Sequence, residues 1–70
     1  MTAMKPYAPV ALLEDLPAAN LCRGQVGTVV EHLSPNVFEV DFSDDKGRTY
    51  ATAAVDASQL LLLHYEPTAA

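Results

Sequence analysis

Side chains able to hold a metal or attack an electrophile are scarce in this chain. Cys22 is its one cysteine, and His32 and His64 are its two imidazoles. Zinc sites draw on Cys and His ligands paired a few residues apart. No such pairing occurs here, so no metal ligand is assigned. A nucleophilic cysteine needs a base and an oxyanion site beside it. Nothing in the sequence supplies either, and Cys22 reads as a small apolar residue at a loop end. Asp41, Asp44 and Asp45 lack the alternating acidic positions and closing glutamate of a calcium loop. They read as a strand residue and a solvated hairpin tip. The two glycines of Arg23-Gly24-Gln25-Val26-Gly27 lack the Gly-Lys-Ser/Thr ending of a phosphate loop, and no helical pattern follows them. No catalytic, cofactor-binding or metal residue is expected, and the chain is read as not an enzyme.

What remains is charge. The 70 residues carry a net charge of −5 with only four basic side chains, Lys5, Arg23, Lys46 and Arg48. Phosphate neutralisation by Lys and Arg dominates nucleic-acid affinity. Scattered cations and seven acidic side chains between Glu14 and Asp45 argue against a nucleic-acid ligand. An acidic surface speaks first to solubility, and beyond that to a basic protein partner whose encounter it would speed. Within it Glu39, Asp41, Arg48 and Tyr50 are the candidate protein-interaction residues. Tyrosine is enriched in binding patches, and Tyr50 sits beside a cation.

These side chains need a scaffold, and the patterning supplies strands. Val37-Phe38-Glu39-Val40-Asp41-Phe42 alternates with period two, so Phe38, Val40 and Phe42 face a core while Glu39 and Asp41 face water. Upstream, Thr28-Val29-Val30 gives three β-branched residues in a row and predicts a strand over 25–33. Gly24 lies where the chain needs a positive φ, and Gly27 marks a bulge, a bend or a close backbone approach. Ser34-Pro35-Asn36 is a turn, and 43–47 is a hairpin loop with Gly47 free to take a left-handed conformation. Strand four spans 48–55, with Ala51, Ala53 and Val55 inward and Arg48, Tyr50 and Thr52 outward. Residues 10–13, opened by Pro9, form the first strand, and 60–63 form the last. Residues 14–20 read as a loop whose Leu16 and Leu21 turn back onto the core. Residues 56–59 read as one 3₁₀ turn.

Five short strands, tight hairpins and no convincing helix predict a small all-β barrel. A longer first loop, two hairpins, one short helical turn and a closing strand is the order of SH3-like barrels. The expected organisation is a lead-in at 1–8, the barrel at 9–64 and a frayed tail at 65–70. The longest apolar run, 60–63, is far too short for a bilayer. No signal-peptide pattern opens the chain, and one thiol suits a reducing compartment, so a cytoplasmic protein is expected.

The segments Val10-Ala11-Leu12-Leu13-Glu14-Asp15-Leu16-Pro17, Arg23-Gly24-Gln25-Val26-Gly27-Thr28-Val29-Val30-Glu31, Phe38-Glu39-Val40-Asp41-Phe42 and Gly47-Arg48-Thr49-Tyr50-Ala51 resemble a family of small bacterial proteins. That family is catalogued as domain of unknown function 4926. The resemblance runs from about Pro9 to Leu63. It implies an SH3-like fold and brings no catalytic or binding residue with it. Gly24-x-x-Gly27-Thr28-Val29 is also similar to the core of the KOW motif of ribosomal and transcription proteins. Those are usually basic, unlike this chain. Arg23-Gly24-x-x-Gly27 followed by Phe38-Glu39-Val40 is similar to the SH3-like part of nitrile hydratase β subunits, whose helical half is missing here.

The functional expectation is a non-enzymatic protein-interaction module. One concrete form is a small acidic regulator that neutralises a basic partner as an antitoxin or inhibitor does. The alternatives are a KOW-like nucleic-acid or ribosome-associated module, and an accessory subunit of a nitrile-hydratase-like enzyme. The expected partner is an unidentified protein, a second copy of the chain included, with neither nucleic acid nor membrane.

Overall fold

A computed structural model describes residues 5–64. The lead-in before Lys5 and the tail expected at 65–70 lie outside the described residues. Five antiparallel strands form one sheet, in the order β4-β3-β2-β1-β5. They are β1 (Pro9–Leu12), β2 (Val26–Ser34), β3 (Val37–Ser43), β4 (Thr49–Asp56) and β5 (Leu60–Leu62). A 3₁₀ turn, η1 (Pro17–Ala19), interrupts the first loop, and a second, η2 (Ala57–Gln59), leads from β4 to β5. This is the predicted all-β, SH3-like arrangement, in which η2 carries the chain from one end of the sheet to the other.

Alternation decides the facing. Along β3 the burial runs buried at Phe38, Val40 and Phe42 and half-buried at Glu39 and Asp41. Val55 of β4 is buried against Phe38, its register partner, and Ala53 and Ala51 lie opposite Val40 and Phe42. The inward faces of β3 and β4 therefore pair large with small. β1 adds Val10 and Leu12, β2 adds Val29, and β5 adds Leu60. Leu21 closes the core from the first loop, and Leu16 packs against it. Leu16 and Leu21 exchange backbone hydrogen bonds of 2.8 and 3.1 Å. Pro17 opens the turn between them and Asn20, at φ 57°, ends it. A left-handed asparagine there stops a helix from continuing.

Gly27 lies at the junction of the sheet, opposite Val10 on one side and Phe42 on the other. A Cβ at this position would lie 2.6 Å from Val40 Cγ1 and 2.8 Å from the Asp41 carbonyl oxygen. Close approach is thus the reason for glycine. The register runs unbroken through Gly27, so no bulge falls there. The bulges fall at Val30 and Leu33 of β2, which the β2–β3 ladder skips, and at Tyr50, which the β3–β4 ladder skips. Each is an extra residue that raises local twist.

Candidate functional site

The sheet's outer surface divides into two parts. Over β2 and β3 it is acidic. Glu31 lies directly opposite Glu39, and Asp41 lies opposite Thr28 on one side and Thr52 on the other. Two carboxylates facing each other across an antiparallel pair repel. Neither is relieved by a cation, since the single ion pair among the described residues is Arg48–Asp44. Asp41 keeps one oxygen occupied, accepting from Thr52 Oγ1 at 2.8 Å.

Of the four residues singled out in the sequence, the fold brings Glu39 and Asp41 together on this face. Glu31 joins them across the strand pair. Arg48 turns back into its own hairpin, with Nε 3.5 Å from Asp44 Oδ2. Asp44 Oδ1 also accepts the backbone N–H groups of Lys46 and Arg48, each at 2.9 Å. The Arg48 amide, seconded by Lys46, holds the Asp44 carboxyl below its ordinary value. The hairpin aspartate is thereby committed to shaping the turn. Tyr50, at the skipped position of β4, is half-exposed, and its hydroxyl accepts from Gln25 Nε2 at 3.1 Å. Gln25 Oε1 in turn accepts from the Cys22 amide. This tie between β4 and the end of the first loop joins residues 25 apart in sequence, and no local pattern announces it.

Over β1 and β5 the outer surface is apolar. Val26, Ala11 and Leu61 form a row across β2, β1 and β5. Val26 and Leu61 are about half-exposed, as is Leu13 at the end of β1. Ala11 is buried without joining the main core, because it sits between those two larger side chains. The run Leu60-Leu61-Leu62-Leu63 has no alternation from which this facing could be read.

The groups with catalytic potential are dispersed. His32 stacks on Phe38, with ring centroids 4.5 Å apart and planes within 10°. It lids the end of the core. Cys22 is exposed at the end of the first loop. His64 lies beyond β5, beside Lys5 and Pro6 in a shallow depression. Among the described residues no three His, Cys, Asp or Glu side chains gather as a metal site, and no helix is long and apolar enough to cross a membrane.

A family match runs over residues 7–62, from Tyr7, whose amide bonds to Val29, to the last residue of β5. The chain belongs to the family described as Domain of unknown function (DUF4926). No curated protein and no solved structure gives a significant match to it.

Proposed function

We propose that this member of the family is a non-enzymatic protein-interaction module that docks a basic protein on the acidic face of β2 and β3. The observation that supports it is the opposed pair Glu31–Glu39 with Asp41 beside it, none of them in an ion pair among the described residues. Such an arrangement works against the folded chain on its own and is relieved when a partner brings positive charge. A small acidic regulator of a basic protein, working as an antitoxin or inhibitor does, fits this chemistry. A cytoplasmic setting accords with its one unpaired thiol.

The test pairs capture with charge reversal. Tagged chain carrying Glu31→Lys and Glu39→Lys is compared with wild type in its native host, followed by mass spectrometry. A basic protein retained by wild type and lost by the variant supports the reading. Labelled duplex DNA and structured RNA are titrated in parallel at about 0.15 M salt, where the screening length is about 8 Å. Sub-micromolar binding to either overturns the proposal in favour of a KOW-like module.

A further inference from the structure

The two ends of the sheet are strand edges, and they differ. β5 is 3 residues long and therefore a short edge. β4 is 8 residues long, and its residues 49–55 contain neither a charge nor a proline. Edge strands of stable monomers are usually blunted by charged side chains, proline, bulges or shortness. The skipped residue Tyr50 disturbs only the beginning of β4, and the register with β3 is regular from Ala51 to Asp56.

The free backbone groups of that edge follow from the ladder. The Ala57 amide donates to the Asn36 carbonyl at 2.7 Å, continuing the β3–β4 register by one more pair. Antiparallel pairs alternate between hydrogen-bonded and non-bonded. Val55, Ala53 and Ala51 therefore turn their backbone groups to β3, while Thr52 and Ala54 turn theirs outward. Among the described residues no backbone group of another element meets them. Their side chains are exposed as well.

We infer that a second copy of the chain pairs with this edge, β4 against β4, joining two five-stranded sheets around a two-fold axis at Ala53. In that register Thr52 of one copy faces Ala54 of the other, and their outward N–H and C=O groups bond reciprocally. Ala53 faces Ala53, and Asp56 faces the uncharged Tyr50. No carboxylate opposes another, although each chain carries a charge of −5. The acidic residues of β3 would lie three strand spacings from those of the other copy. That is about 14 Å at ~4.8 Å per spacing, beyond the ~8 Å screening length of physiological salt. A basic partner finds no acid within 49–55 to recognise, whereas an uncharged strand of small residues is complementary to itself. This inference stands apart from the acidic face, so the failure of one leaves the other intact.

Analytical ultracentrifugation over a concentration series, with Ala54→Pro beside wild type, tests it. Proline at residue 54 removes an outward N–H and no bond to β3, so the circular dichroism spectrum should be kept. The expected result is a wild-type dimer that Ala54→Pro weakens at least about tenfold, a loss of about 1.4 kcal/mol. Amide hydrogen exchange on wild type supplies a readout independent of that variant's folding. The Thr52 and Ala54 amides should gain protection as concentration rises. A monomer at every concentration overturns the inference. So does a dimer unaffected by Ala54→Pro, which would move the contact to the Leu13, Val26 and Leu61 face. Protection of Thr52 and Ala54 that ignores concentration also overturns it, since the chain would then cover its own edge.

Discussion

The two halves of the sheet are built on different terms. β2, β3 and β4 are 9, 7 and 8 residues long and follow one another through tight turns. β1 and β5 are 4 and 3 residues long and meet only after the rest of the chain has intervened. The long half places alternating apolar residues inward and acids and threonines outward. The short half is apolar on both sides, with Leu60 in the core and Leu61 half-exposed outside it. The long half is held by its long ladders, and the short half by ladders of three pairs each together with side-chain burial. Gly27 is where they meet.

The largest expected effect comes from removing the pivot of the long half. Phe42 is completely buried. Phe42→Ala should cost ~3–5 kcal/mol. At ~0.05–0.15 kcal/mol per residue that rivals the whole stability of a domain of this size, so thermal unfolding should show no cooperative native transition. Unchanged melting would mean that β3 is not the centre of the core.

A smaller loss is expected at the junction. Gly27→Val raises β-propensity, which alone would stabilise. The 2.8 Å approach of a new Cβ to the Asp41 carbonyl oxygen predicts the reverse, because backbone cannot swing away. Overpacking of this kind costs ~1–3 kcal/mol, read as a lower denaturation midpoint. A midpoint at or above wild type would mean that the two halves are less tightly joined than their register implies.

Acid should separate the connecting elements from the sheet. Asp56 caps η2, accepting from the Ser58 amide at 2.9 Å and the Ser58 hydroxyl at 2.8 Å. These bonds hold its carboxyl below the ordinary 3.8. Asp44 is likewise held low in the β3–β4 hairpin. For a carboxyl whose folded value is depressed, the contribution is complete above the unfolded value and is lost as pH falls through the folded one. Denaturation midpoints should therefore drop as pH falls below about 3.8. The double variant Asp44→Asn with Asp56→Asn should flatten that part of the profile. A slope unchanged by both substitutions would place the acid sensitivity in other carboxylates.

The smallest effect concerns the acidic face. Glu39→Gln removes one member of the opposed pair and should raise stability by a few tenths of a kcal/mol, more at low salt than at high. A loss of stability would show that Glu39 has a favourable partner in the folded chain.

The long half was legible in the sequence because its information is local. Phe38, Val40 and Phe42 declare a face by spacing alone. The three alanine or valine positions of β4 follow once a partner strand is given. The 3₁₀ turn at 57–59 shows itself in Asp56 and Gln59, which form the reciprocal cap. The site was half legible. Glu39 and Asp41 were placed by alternation, while the opposition of Glu31 to Glu39 depends on Val30 being skipped, which composition does not reveal. Arg48 and Tyr50 were drawn away by Asp44 and Gln25, one a turn contact and the other a contact across the fold. The Val26–Ala11–Leu61 row was hidden because it exists only when three strands remote in sequence lie side by side.

That remoteness has a consequence in time. Ala11 pairs with Leu61, about 50 residues further along the chain. Loop-closure entropy grows as (3/2)RT ln n, so this pairing costs about 2 kcal/mol more to close than a five-residue hairpin. The β2–β3–β4 meander can assemble first, and the β1–β5 contact is expected among the last native interactions to form. A change confined to the β5 end of the sheet would accordingly show in how fast the protein comes apart, and hardly at all in how fast it folds.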